Sequence, residues 1–247
     1  MNDQCVTDAH LNVNYSHERD VDGAYIITIK GDTTSEKLAK RCAESCEKVG
    51  MRHRKWGAFN GRGDTITTPE HSQGKDWLKW IKVMDHHLSR GEIACFLSHV
   101  SLWAHCISID KPIIILEHDA VMVANFPMHM AYNNIIYLGS MEQAKMGWAV
   151  QPIPMHASLN KNYLFIGRAH SYCIDPQIAK RLMAKVIGQG MMETLDIFIR
   201  ADEFGIVQLG LFAYNEESET TIDTRKPDVS LKDVAEVEPS KTPIGVR

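Results

Sequence analysis

The chain has 247 residues, of which 44% are hydrophobic and 23% charged, with a formal net charge of −4. That is enough chain for one large domain or two small ones with a sizeable core, in a composition ordinary for a soluble globular protein. The charge balance calls for neither nucleic acid nor an anionic membrane, and the short basic run Arg52-His53-Arg54-Lys55 reads as a solvated edge.

Six cysteines (Cys5, Cys42, Cys46, Cys95, Cys106 and Cys173) show no C-x-x-C pattern. They read as small buried hydrophobes in a reducing compartment rather than as a disulfide framework. The first twenty residues are polar and lack the apolar stretch of a signal peptide. No apolar run is expected to reach the length of a membrane span. The expected location is the cytoplasm, or a host cytoplasm if the chain is viral.

Residues 1–20 lack periodicity and read as an arm. "GAYIITIK" (23–30) reads as a buried strand, and Thr33-Thr34-Ser35-Glu36 has capping-box spacing for a helix striped by Leu38, Cys42, Cys46 and Val49. "RKWGAF" is a second strand, followed by a turn at Asn60-Gly61-Arg62-Gly63. Residues 64–88 read as a long loop with a helical piece. Ser89-Arg90-Gly91-Glu92 is another capping box. It opens a helix with one apolar row at Ile93, Leu97, Val100, Ala104 and Ile107 and a second, mostly apolar, row at Cys95, His99, Leu102 and Cys106, so it is buried on much of its circumference. Asp110-Lys111-Pro112 ends it.

The strand 113–117 comes next, then "NNIIYLGS" (133–140) and the extended "NYLFIGRAHSYCI". Asp175-Pro176 starts a helix that ends near Gly188. "METLDIFIRADEFG" reads as a shorter helix and "IVQLGLFAYN" as a last strand. The chain from Glu216 reads as a tail or an acceptor-side flap. Strands alternating with helices predict an α/β fold with a mostly parallel sheet, in one domain over 21–215.

One stretch resists a purely structural reading. "IIILEHDAVMV" (113–123) carries Glu117-His118-Asp119 between two apolar runs. Ligands of open α/β sheets bind at the carboxyl ends of strands. Carboxylates there are costly unless paired, and a divalent cation is an economical partner. Oxygen ligands suit Mg²⁺ or Mn²⁺, and Mn²⁺ also accepts imidazole. Such an ion can clamp a diphosphate, and the chain has neither a Walker loop nor G-x-G-x-x-G to do so. From the triplet alone, helix capping or an arginine pair is the plainer explanation.

A longer pattern shifts that balance. "LSRGEIACFLSHVSLWAHCISIDKPIIILEHDAVM" (88–122) resembles the central motif of glycosyltransferase family 25, the family of lipopolysaccharide-type and collagen galactosyltransferases. Gly91, Glu92, Ile93, Cys95, Ser98, His99 and Trp103 match in order and spacing. "AFNG", "SYCIDPQIAKRL" and "TLDIFI" are similar to further segments of that family, and with the first strand and helix the likeness spans roughly residues 24–215.

The resemblance implies a GT-A type fold and transfer of a hexose from a UDP-sugar with inversion. The family's E-D-D falls on Glu117, His118 and Asp119, which makes these the implied metal ligands, with His118 a departure. Thr28 stands where the family usually has Asn, and Lys37 near where it usually has Arg. Thr28 and Lys30, with Gly61, His99 and Glu117, are the implied nucleotide-sugar contacts.

Inverting transfer needs a general base for the acceptor hydroxyl. Asp196 is the candidate beside Asp119, against the plain reading of a polar residue at a helix start. Glu92 already has a capping role. His170 and Tyr172 can reach the sugar or the metal, or belong to the core. Trp56, Trp77 and Trp80 can stack on a sugar, although tryptophan rows more often pack, and the adjacent His86 and His87 are left out of the site. The acceptor is a saccharide, a protein hydroxylysine or a hydroxymethylated base in viral DNA. Two other functions compete: a catalytically degenerate sugar- or partner-binding relative, and a metal-dependent phosphohydrolase.

Overall fold

The computed structural model describes residues 19–69, 77–85, 87–130, 135–139, 169–204 and 206–215. The arm before residue 19, His86, and the tail from Glu216 lie outside them, as do parts of the segments read at 133–140 and 162–174. In chain order the elements are β1 (Arg19–Asp20), β2 (Ala24–Thr28), α1 (Thr33–Lys48), β3 (His53–Gly57), a single 3₁₀ turn (Trp77–Lys79), α2 (Arg90–Ile109), β4 (Ile113–Glu117), β5 (Ala120–Met122), β6 (His129–Met130), β7 (Ile135–Gly139), β8 (Ser171–Ile174), α3 (Pro176–Gln189), α4 (Leu195–Phe198), α5 (Ala201–Phe204) and β9 (Ile206–Asn215).

Seven strands form one sheet in the order β3-β2-β4-β8-β7-β9-β5. β3, β2, β4, β7 and β9 run one way; β8 and β5 oppose them. The fold is therefore α/β with a mostly parallel sheet. Strands β1 and β6 form a separate antiparallel pair. β5 follows β4 after only two residues yet sits at the far edge of the sheet. The sheet curls to allow this, so that α1 touches β5 as well as β2 and β3. The Met122 amide donates to Ser45 Oγ at 2.9 Å across that seam.

Two apolar layers cover the sheet, and the alternation of side chains along a strand decides which residue joins which. Tyr25 and Ile27 of β2 and Ile113 and Ile115 of β4 pack under α2 and α3. Ala24 and Ile26, with Ile114 and Leu116, pack under α1. With both faces covered, β2 and β4 read as continuous apolar runs.

The helices start where side chains satisfy their free amides. Ser89 and Glu92 form the expected reciprocal capping box on α2. Asp175 caps α3 with Pro176 behind it. On α1 the cap is one residue upstream of the expected box: Asp32 Oδ1 accepts from the Ser35 amide, and Glu36 reaches back to the Gly31 amide. Asp110, in the left-handed region at φ 48°, stops α2.

By length and composition α2 is long and apolar enough to cross a membrane, which the sequence reading did not anticipate. Most of it is buried inside the fold, as expected for a core helix. The segment read as one helix from Met192 splits into α4 and α5. Trp77 opens the 3₁₀ turn, and Trp80 follows it and is exposed. Trp56 is a packing residue, with Nε1 donating to Ser101 Oγ.

Gly61 folds back against the start of α2. A Cβ there would lie 2.2 Å from the Arg90 carbonyl oxygen, a backbone atom that cannot swing aside. Gly61→Ala is expected to cost about 1–3 kcal/mol through overpacking, read as a lower urea midpoint; an unchanged midpoint would show that the turn relaxes freely.

At the opposite end of β2, Tyr25 donates to Asp22 at 2.6 Å, so its oxygen accepts from His105 Nε2 at 2.8 Å. Burial pushes the His105 pKa down, and the Arg54 guanidinium adds to this while Asp22 opposes it. An unfolded histidine takes a proton near pH 6.5. Below that value the unfolded state binds a proton that the folded state resists, so stability falls with pH from about 6.5 down to the folded pKa. His105→Gln is expected to flatten the dependence of the urea midpoint between about pH 7 and pH 5 relative to the wild type.

Candidate active site

The carboxyl ends of β2, β3 and β4 lie side by side. Thr28 pairs with Gly57, and Ile27 with Glu117. The three consecutive ionisable residues begin at this rim, and the alternation set by β4 sends the first two in opposite directions.

Glu117 continues the row of Ile113 and Ile115 and meets α2. Its Oε1 lies 3.3 Å from His99 Nε2 and accepts from the Cys95 thiol at 3.7 Å. Its amide donates to the His170 carbonyl at 2.8 Å. Burial works against its charge. The neighbouring histidines outweigh that, His99 first and then His170 and His118, and hold the carboxyl below the usual range. The side chain remains 26% exposed, so the group opens toward solvent.

His99 is fully buried. Its Nδ1 shares a hydrogen bond of 2.8 Å with the Tyr172 hydroxyl, which also accepts from Trp103 Nε1 at 2.9 Å. His99 Nε2 faces Glu117 off the hydrogen-bonding line and has no hydrogen-bond partner. Cys95 lies one turn before His99 on α2. Burial pushes its thiol well up, and the charges of Glu117, Asp196 and Asp119 push it further. Of the three, Glu117 touches the thiol directly.

His118 takes the other face. It is buried, with Nδ1 3.2 Å from Ser35 Oγ at the start of α1, and that oxygen also accepts from the Ile29 amide. Burial pushes the imidazole pKa down; Glu117 and Asp32 oppose this, while Arg62 and Arg41 reinforce it. Asp32, which caps α1, is ion-paired with Arg62 of the 60–63 turn. Asp119 lies between the two helices. Its carbonyl accepts from Arg41 Nη2 at 3.4 Å, and its charge acts on Cys42 of α1 as well as on Cys95 of α2.

Of the residues expected from sequence, Glu117 and His99 are in direct contact, and Asp119 and Asp196 are in electrostatic reach of the same thiol. Asp196 sits at the start of α4, where Oδ1 accepts from Thr194 Oγ1 at 2.6 Å and from the Ile197 amide at 3.2 Å. Thr28 is buried at the end of β2, with Oγ1 donating to the Ile26 carbonyl; Lys30 follows it and is exposed. Gly61 joins the rim through its packing on α2.

Glu117, His118 and Asp119 do not form a single donor set. Among the described residues, the metal-capable group is instead Cys95, His99 and Glu117, whose ligand atoms lie within 4.8 Å of one another. Sequence reading placed Cys95 in an apolar row and did not single it out as a potential ligand; the signal was its four-residue spacing from His99. It also missed Arg62 and Ser35, which lie in loop and cap positions with no periodic signature.

The family comparison agrees with the motif. No curated protein matches the chain significantly. A solved structure of the galactosyltransferase LgtC, in complex with donor and acceptor sugar analogues, is similar at a TM-score of 0.40 and 10% identity, over 75% of this chain and 72% of that one. The family model described as glycosyltransferase family 25 (LPS biosynthesis protein) matches residues 40–196, well over half of the sequence. The chain belongs to glycosyltransferase family 25.

Proposed function

We propose that the protein transfers a hexose from a UDP-sugar to a saccharide hydroxyl with inversion at the anomeric carbon. Family membership supports the reaction class. The observation that carries the site assignment is the contact of Glu117, at the carboxyl end of β4, with His99 and Cys95 of α2.

In this reading the donor lies across the rim formed by Thr28, Lys30 and the 60–63 turn, where Arg62, paired with Asp32, and Lys30 bring positive charge toward its diphosphate. Asp196 is the general base. Its Oδ1 is held by Thr194 and the Ile197 amide, and Oδ2 takes the acceptor proton. As the acceptor oxygen bonds to the anomeric carbon, its proton passes to Asp196, the bond from that carbon to the phosphate oxygen breaks, and UDP leaves with the electron pair.

The expected Mn²⁺ or Mg²⁺ needs hard oxygen ligands gathered in one shell. Glu117 and His118 leave the strand on opposite faces, so the triplet does not supply that shell. The transfer is derived from the chain's own acid–base and charge-stabilising groups.

The test is UDP release from UDP-galactose and UDP-glucose in the presence of oligosaccharide acceptors. Asp196→Asn is expected to lower kcat by about 10²- to 10⁴-fold with little change in donor KM. UDP binding without release by the wild type would indicate a degenerate sugar-binding relative, and unchanged kcat in the variant would remove Asp196 from the role of base.

A further inference from the structure

We infer that Cys95, His99 and Glu117 form a binding site for a zinc-class divalent cation, with an open fourth position. The donor set is one sulfur, one imidazole nitrogen and one carboxylate oxygen. Thiolate and imidazole select zinc over the hard cations that the acidic triplet suggested.

The geometry is close to that of a loaded site. Zinc bonds of about 2.0 Å to nitrogen and oxygen and about 2.3 Å to sulfur, at tetrahedral angles, give ligand separations of about 3.3 Å for N–O and about 3.5 Å for S–O. The observed separations are 3.3 Å between His99 Nε2 and Glu117 Oε1 and 3.7 Å between Cys95 Sγ and the same oxygen. The remaining pair lies within 4.8 Å. Cys95 and His99 are one turn apart on a rigid helix, and Glu117 ends a central strand, so small side-chain adjustments complete the shell.

His99 provides an independent indication. It is fully buried, and its Nε2 lies 3.3 Å from Glu117 Oε1 without the alignment of a hydrogen bond. A bridging ion would satisfy both atoms at that separation. Its other nitrogen is held by Tyr172, itself fixed by Trp103, which is the kind of outer contact that orients a metal-binding imidazole. In the loaded site Nδ1 carries the proton and donates to the Tyr172 oxygen. Cys95 releases its thiol proton to solvent as the ion binds.

Three protein ligands leave one position for water or an oxygen ligand. The exposed part of Glu117 gives access from the side on which Asp119 and Asp196 act. The site does not depend on the proposed transfer reaction, and its test requires no sugar substrate.

The experiment is titration of chelator-treated full-length protein with Co²⁺, followed by displacement with Zn²⁺. One equivalent of cobalt is expected, with a near-ultraviolet thiolate-to-cobalt band that zinc abolishes. Cys95→Ser should lose the band while retaining the wild-type circular dichroism spectrum. Tyr172→Phe should keep the band and weaken zinc affinity about 10- to 100-fold. Absence of stoichiometric cobalt binding by folded wild-type protein would overturn the site. A band unchanged in Cys95→Ser would overturn it too, because another cysteine would then be the ligand.

Discussion

The burial of β4 on both faces is the constraint on which the site depends. A strand covered by α2 on one side and α1 on the other has no solvent face, so its side chains alternate between two packed layers. When that strand ends in three ionisable residues, the alternation continues for at least one more step. Glu117 inherits the α2 face of Ile113 and Ile115. His118 inherits the α1 face of Ile114 and Leu116. Each then needs its own partners. Glu117 finds histidines and a thiol, and His118 finds a hydroxyl at the mouth of α1. What looks in sequence like one chelating triplet is two half-sites on opposite sides of a sheet, with Asp119 between them.

The arrangement also explains why a histidine is compatible with position 118. The surroundings there already contain Asp32 paired with Arg62, and Arg41 reaches the Asp119 carbonyl. A neutral imidazole against Ser35 adds no charge to that balance, and burial keeps it neutral. Glu117 brings its negative charge to the α2 side, and Asp119 acts on cysteines of both helices. A histidine in place of a carboxylate at 118 therefore removes a charge from the α1 side, next to Glu117, whose own charge it no longer opposes.

Much of the fold was legible because local signals agreed with one another. The capping box at Ser89, the Asp175-Pro176 start and the double row on α2 each have a single physical reading, and each appears as expected. The apolar run at 206–215 is a strand over its whole length. Errors arose where the deciding contact is remote. Nothing local says that β5, two residues after β4, crosses to the far edge of the sheet, because curling of the sheet around α1 determines that. The cap of α1 moved by one residue because Asp32 and Glu36 satisfied the amides before the Thr and Ser hydroxyls did.

The site was legible in its members and not in its grouping. The resemblance singled out Glu117, His99 and Asp196, and the fold brings the first two into direct contact. Which of them touch is a property of packing. Cys95 looked like one more apolar position in a buried row, and a thiol behaves as such when its neighbours are hydrocarbon. Here its neighbour is a carboxylate at the end of a strand, set beside an imidazole whose free nitrogen points the same way. The motif spacing that places a cysteine four residues before a histidine puts two donors on one face of a helix, one turn apart. The strand register then supplies the third. The two elements meet because α2 leads directly into β4 through a tight turn and lies back along it, which sets Cys95 and His99 opposite Glu117.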